Sequence, residues 1–207
     1  MPENIFFSRL AEDELPDSSI LDISSGGKVL IISDLHMGCG SRDDLYHNGD
    51  MLTCLLEEFY FKNGWILVLN GDIEELQRYS FDSIWEKWKK LYRVFSLFAE
   101  DNRLYKIAGN HDEQLLLKRQ VSNPYNLHSV IKIETGTVPA YVYHGHQLSA
   151  IYVKFNRLFG IAIRYILTTF GIKNLFSARS PSKRFHIEKK AYAFSLKNNC
   201  LSIIGHT

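Results

Sequence analysis

The chain has 207 residues, 45% of them hydrophobic and 13% aromatic, with a net charge of +1. That is enough for one domain with a sizeable core, and it excludes a disordered or fibrous protein. The near-zero charge says nothing for or against an acidic partner, the three cysteines (Cys39, Cys54 and Cys200) exclude an ordinary disulfide framework, and there is no run of uncharged apolar residues long enough for a membrane span.

The N-terminal residues are not basic and no long apolar run follows them, so no signal peptide is read; with an odd number of cysteines at no paired spacing this predicts a cytoplasmic location. Residues 1–27 form a lead-in with a short edge strand, ending in Gly26-Gly27. Val29 to Ser33 reads as a buried strand that runs into Asp34-Leu35-His36-Met37-Gly38. On an extended backbone residues i and i+2 share a face, so Asp34 and His36 are expected to converge just beyond the strand, where open α/β sheets place ligands. A helix is predicted over 44–62, with Leu52, Leu55, Leu56 and Phe59 at helical spacing and Asn63-Gly64 as its stop. A second strand, 65–69, runs into Asn70-Gly71-Asp72. The clearest helical period follows, through Phe81, Ile84, Trp85, Trp88, Leu91 and Tyr92, with Ser80 as N-cap. A third strand, 103–108, runs into Gly109-Asn110-His111-Asp112. Strands at 130–133 and 140–143 are joined through Gly136, and the second runs into His144-Gly145-His146. A last strand, 201–204, runs into Gly205-His206-Thr207.

Between the last two strands the composition changes. Residues 151–190 carry nine Lys or Arg and one acidic residue, Glu188, among apolar residues at helical spacing such as Ile151, Phe155, Leu158 and Ile166. Gly171 ends the first helix and Ser180-Pro181 starts a second, which gives a helical hairpin inserted at 147–199 with a greasy face and a cationic face. Such a hairpin either packs on the sheet with its basic side in water, or serves as a lid that receives an acyl chain or docks on anionic lipid.

A lone Asp after a strand is ordinarily a turn or cap residue, and a lone His a hydrogen-bonded one. Five strands that each end in Gly with Asp, Asn or His point instead to one shared site. Carboxylate, imidazole and amide oxygen suit manganese, iron(II) or zinc. There are more candidate ligands than one tetrahedral ion takes, so two ions sharing a carboxylate are expected. Such a pair activates water and clamps both ends of an in-line displacement at phosphorus. His111 would stabilise the phosphoryl oxygens and protonate the leaving group.

Asp34-x-His36, Gly71-Asp72, Gly109-Asn110-His111-Asp112, His144-Gly145 and Gly205-His206 together resemble the five ordered motifs of the calcineurin-like metallophosphoesterase superfamily. The resemblance covers residues 29–206. It implies an α/β fold, a four-layer α/β/β/α sandwich, in one domain over 1–207 that carries the basic-apolar helical hairpin as an insertion. It also implies a binuclear centre of two divalent metal ions, Mn2+ first, with Fe2+ or Zn2+ as alternatives. By position, Asp34 and His36 would bind the first metal, Asp72 would bridge, and Asn110, His144 and His206 would hold the second. His111 would be the catalytic histidine with Asp112 orienting it, and His146 would face substrate. Arg42 and Arg78, in the loops after the first two motifs, are candidates for binding substrate phosphate. The family's last motif is Gly-His-x-His, and the chain ends at Thr207, one residue before the second His. The expectation is therefore a C-terminally truncated domain whose first metal is held less tightly.

The place of the insertion resembles that in UDP-2,3-diacylglucosamine pyrophosphohydrolases, which carry Arg where this chain has His111. The reading is thus a metal-dependent phosphatase, phosphodiesterase or pyrophosphohydrolase acting on a phosphorylated small molecule or a lipid-linked phosphate. Peripheral contact with the inner face of the membrane would run through residues 151–190. The alternatives are a nuclease acting on nucleic acid and a non-catalytic binding module of the same fold.

Overall fold

A computed structural model of the chain describes residues 19–40, 45, 47–112, 127–148 and 181–205. Its strands are β1 (Ile20–Asp22), β2 (Val29–Ile32), β3 (Ile66–Asn70), β4 (Leu104–Ile107), β5 (Leu127–His128), β6 (Ile131–Glu134), β7 (Ala140–Tyr143) and β8 (Leu201–Ile204). Its helices are α1 (Gly49–Leu55), continued by a π-helical turn over Leu56–Phe61, then α2 (Phe81–Lys87), α3 (Lys89–Glu100) and α4 (Pro181–Asn198).

The strands form two sheets, in the orders β2-β3-β4-β5 and β1-β6-β7-β8. The first is parallel throughout, with Val29 opposite Ile66 and Leu67 opposite Leu104. In the second, β6 and β7 are antiparallel, whereas β7 and β8 are parallel. Side-chain alternation assigns the layers. Leu67 and Leu69 of β3 pack with Leu91, Phe95 and Phe98 of α3. Val68, between them, faces Ile131, Ile133 and Val142 of the other sheet. On that sheet's far side, Tyr141 and Tyr143 pack against Ile187, Ala191 and Phe194 of α4. The layers run helix, sheet, sheet, helix, as the motifs imply.

Two local features differ from expectation. The helix starting at Phe81 has the expected cap, with Ser80 Oγ accepting from Ser83 N at 3.3 Å, but it breaks at Trp88 instead of running on. The cause is tertiary: Trp88 donates from Nε1 to Gly38 O at 2.8 Å, tying the helix pair to the loop after β2. The helix after that loop starts at Gly49 and widens to π geometry from Leu56. Residues 149–180, which include the first half of the inserted hairpin, lie outside the described residues; the second half is α4.

At the sheet edge His128 is buried, 2.9 Å from Ser19 Oγ through Nδ1. Burial pushes its imidazole below the ordinary value. The unfolded chain therefore takes up a proton here first as pH falls. The residue contributes stability above about pH 6.5 that is lost as pH falls through that value toward the folded one. His128→Gln is expected to reduce the loss of stability between about pH 7.5 and about pH 5.5. Urea denaturation at both values checks this, and an identical loss in both proteins would contradict it.

Candidate metal centre

Because β2, β3 and β4 are parallel, the polar residues after them emerge along one edge of the first sheet. The second sheet brings the ends of β7 and β8 to the same edge. Gly205 N donates to His144 O at 3.0 Å, His144 Nδ1 donates to Asn70 O at 2.9 Å, and Asn70 Nδ2 donates to Tyr143 O at 3.3 Å. Five loops thus meet at one place, with Gly205 standing for the fifth; His206 lies outside the described residues.

Asp34 and His36 arrive there differently from the extended geometry expected of them. Their φ angles are 54° and 43°, and that of Asp72 is 51°. Backbone bonds from Asp34 N to Gly71 O (3.1 Å), His36 N to Asp72 O (3.0 Å) and Met37 N to Ile73 O (2.8 Å) hold the first loop along the second in this conformation. For residues other than glycine this region is sparsely populated and costs roughly 1–3 kcal/mol each. Gly71, in the second loop, has φ 78°, and a Cβ there would lie 2.5 Å from His144 Nδ1, so a side chain would push the fourth loop away.

Asp72 is at the centre, 1% exposed. Its Oδ1 accepts from His111 N at 2.8 Å, and its Oδ2 lies 3.3 Å from His144 Nε2 and 3.9 Å from His111 Nε2. Asp34, His36 and Asp72 each offer a ligand atom within 4.8 Å of the others. His144 spends Nδ1–H on the Asn70 carbonyl, which turns Nε2 toward Asp72. Asn110, buried in the third loop, is held by its backbone carbonyl, which accepts from Gln77 Nε2 at 3.1 Å.

Asp112 does not orient His111. Its carboxylate accepts the amides of Ile73 (2.9 Å) and Gly109, joining the second and third loops from beneath. The residue that orients His111 is Glu75, absent from the sequence-based reading. Its Oε1 is 2.8 Å from His111 Nδ1, and its Oε2 is 3.3 Å from His36 Nδ1, a close ion-pair approach without hydrogen-bond alignment. The His36 and His111 rings meet edge to face at 4.7 Å. The signal for Glu75 was its place three residues after Asp72 at a strand end already rich in ligands.

The electrostatics follow from burial and pairing. Burial opposes ionisation of Asp72, and the His144 and His111 imidazoles overcome it, holding the carboxyl well below the usual range. Burial likewise opposes ionisation of Glu75, and the His111 and His36 imidazoles bring it down to about 2. Burial works against the charged form of His111 and of His144, but facing carboxylates, Asp72 foremost, push each up to about 9. Burial raises the Asp34 carboxyl. Burial, with the Glu74 carboxylate adding to it, raises Asp112 to about 6.

Of the other candidates, Arg78 is half-buried with its guanidinium over the Tyr79 ring, and it donates from Nη2 to Tyr79 OH at 3.2 Å. His146 is buried, its ring 5.5 Å from that of His144. Arg42 lies outside the described residues. Cys39, Cys54 and Cys200 form no disulfide among the described residues, and no helix among the described residues is long and apolar enough to cross a membrane.

The donor set fits divalent cations on three counts. Strained backbone aims Asp34, His36 and Asp72 at one point, the buried carboxylate faces imidazole nitrogens, and His144 has its other ring nitrogen fixed by a carbonyl, as metal-binding histidines commonly do. No curated protein matches the sequence. Among solved structures, a conserved uncharacterized protein from Streptococcus pneumoniae, described as a predicted phosphoesterase, aligns at 16% identity with a TM-score of 0.28, covering 65% of this chain and 53% of that one. The chain thus spans about half the length of that protein. The calcineurin-like phosphoesterase family matches residues 27–206, nearly the whole chain, and to that family the chain belongs.

Proposed function

We propose that the protein is a metal-dependent phosphoester hydrolase with a two-ion centre. The observation that supports this best is the position of Asp72, a buried carboxylate with the first-loop residues within ligand distance and the third- and fourth-loop histidines against its oxygens. In this reading Asp34, His36 and Asp72 hold one divalent ion, and Asp72, Asn110 and His144, with His206, hold the other. Bound there, divalent ions supply Lewis acidity toward a phosphoryl oxygen and acidify water.

The chain's own residues do the rest. Without bound ions the facing carboxylates push the His111 imidazole up to about 9, and Glu75 Oε1, 2.8 Å from Nδ1, favours a proton on that nitrogen. The proton it can hand to a leaving oxygen is therefore the one on Nε2, and the charged ring also stabilises phosphoryl oxygens. The donor types favour Mn2+, with Fe2+ or Zn2+ as alternatives.

The favoured substrate is a phosphorylated small molecule or a lipid-linked phosphate, as in the pyrophosphohydrolases whose layout the sequence resembles. Supporting the lipid-linked form, Phe185, Tyr192 and Leu196 are 65%, 65% and 66% exposed along one line of α4, with Lys189 beside them. The test is Mn2+-dependent hydrolysis of p-nitrophenyl phosphate and of its bis ester, with and without anionic vesicles, alongside metal analysis. Turnover of either ester with two bound metals per chain supports the reading. Absence of metal-dependent turnover would favour a binding module, and a strong preference for the bis ester would favour a phosphodiesterase such as a nuclease.

A further inference from the structure

We infer that Lys106 and Glu74, buried behind the centre, are positioning residues that fix where Glu75 stands. The inference rests on the hydrolase reading for its kinetic consequence, but not for its structural one. Side chains alternate along β4: Tyr105 and Ile107 face the second sheet, and Leu104 faces the helices. Lys106 shares the face of Leu104, where an apolar residue is expected, and it is 1% exposed. Its ammonium pairs with Glu74 Oε1, and Tyr92 of α3 donates its hydroxyl to the same oxygen at 3.0 Å. All three side chains are buried, and Glu74 Oε2 has no hydrogen-bond partner among the described residues. A buried pair of this kind adds little stability over well-packed apolar residues, so stability alone does not account for it.

Glu74 and Glu75 are consecutive and point opposite ways. Backbone pairing with Met37 fixes the segment, through a parallel bridge to Glu74 and a bond from Glu75 N to Met37 O at 3.1 Å. Lys106 and Tyr92 anchor the inward carboxylate on β4 and α3. The outward carboxylate is thereby delivered to His111 and His36. Lys106 is also close enough to Asp112, which ties the second and third loops, to feel its charge.

The test compares Lys106→Met with Lys106→Met/Glu74→Gln. The single variant leaves a buried carboxylate unpaired and is expected to lower the melting temperature. The double variant removes both charges and is expected to recover it. If the pair positions Glu75, the recovered double variant still loses about tenfold or more in kcat with KM little changed. In the metal-free protein, the His111 Nδ1–H proton resonance is expected to shift in the double variant. A double variant with wild-type kcat and an unshifted His111 resonance would overturn the inference. If that variant does not fold, Tyr92→Phe removes one bond to Glu74 without removing charge. The same resonance is then read, and an unshifted signal counts against the inference. A shifted resonance in a protein whose wild type lacks hydrolase activity would instead reject the hydrolase reading and leave the positioning role standing.

Discussion

Asp72→Asn is expected to lower metal-dependent hydrolysis by on the order of 10³-fold or more while the protein stays folded. The fold should survive because asparagine keeps the shape of the side chain and retains an oxygen that can accept the His111 amide, now bonded to Asp72 Oδ1 at 2.8 Å. What disappears is the charge. Asp72 is buried with imidazoles of the third and fourth loops against its oxygens, and it lies within 4.8 Å of ligand atoms of Asp34 and His36. In the proposed centre this carboxylate serves both ions, so its loss weakens both at once. Hydrolysis of p-nitrophenyl phosphate, metal content by mass spectrometry and a melting curve measure the three parts of the prediction. Activity within tenfold of wild type would sink the proposed role of Asp72.

Glu75→Gln is expected to cost about 10²-fold in kcat with little change in KM. Glu75 contacts His36 and His111 and leaves Asp72 to other partners. The amide can still accept from His111 Nδ1, so the ring retains a partner. It loses the negative charge that, together with Asp72, pushes the imidazole up. The proton donor is then weakened and less firmly aimed, whereas substrate phosphate should bind much as before. Separate determination of kcat and KM decides the matter. A rise in KM at unchanged kcat would mean that Glu75 serves substrate binding instead of the proton donor.

The strands carrying the site were legible because they are short, mostly apolar runs that give way to Gly with Asp, Asn or His. The pattern located the loops, but it did not reveal their backbone. Nothing local in Asp34, His36 or Asp72 announces a positive φ, which bonds between the first and second loops impose. The break at Trp88 was hidden for a similar reason, since the apolar period continues through it and the cause is a bond to Gly38 across the fold. β5 is only two residues long and pairs through Lys106 and Ile107, too little for any periodicity to show. Glu75 and Asp112 were misjudged because the sequence shows which carboxylates are near the site but not which way each points. Asp112 is turned to backbone amides and Glu75 to the histidines.

The three left-handed residues at the centre also bear on how the protein could change under selection. Glycine at position 34, 36 or 72 would relax the backbone at that point, whereas the aspartate or histidine found there holds it against its preference. At each position that relief is set against the contacts the side chain makes, such as the His111 amide on Asp72 Oδ1, and each such change would remove a candidate metal ligand. Thermal robustness and metal binding draw on the same few residues. Among relatives that have given up catalysis, these are the first places to look for glycine.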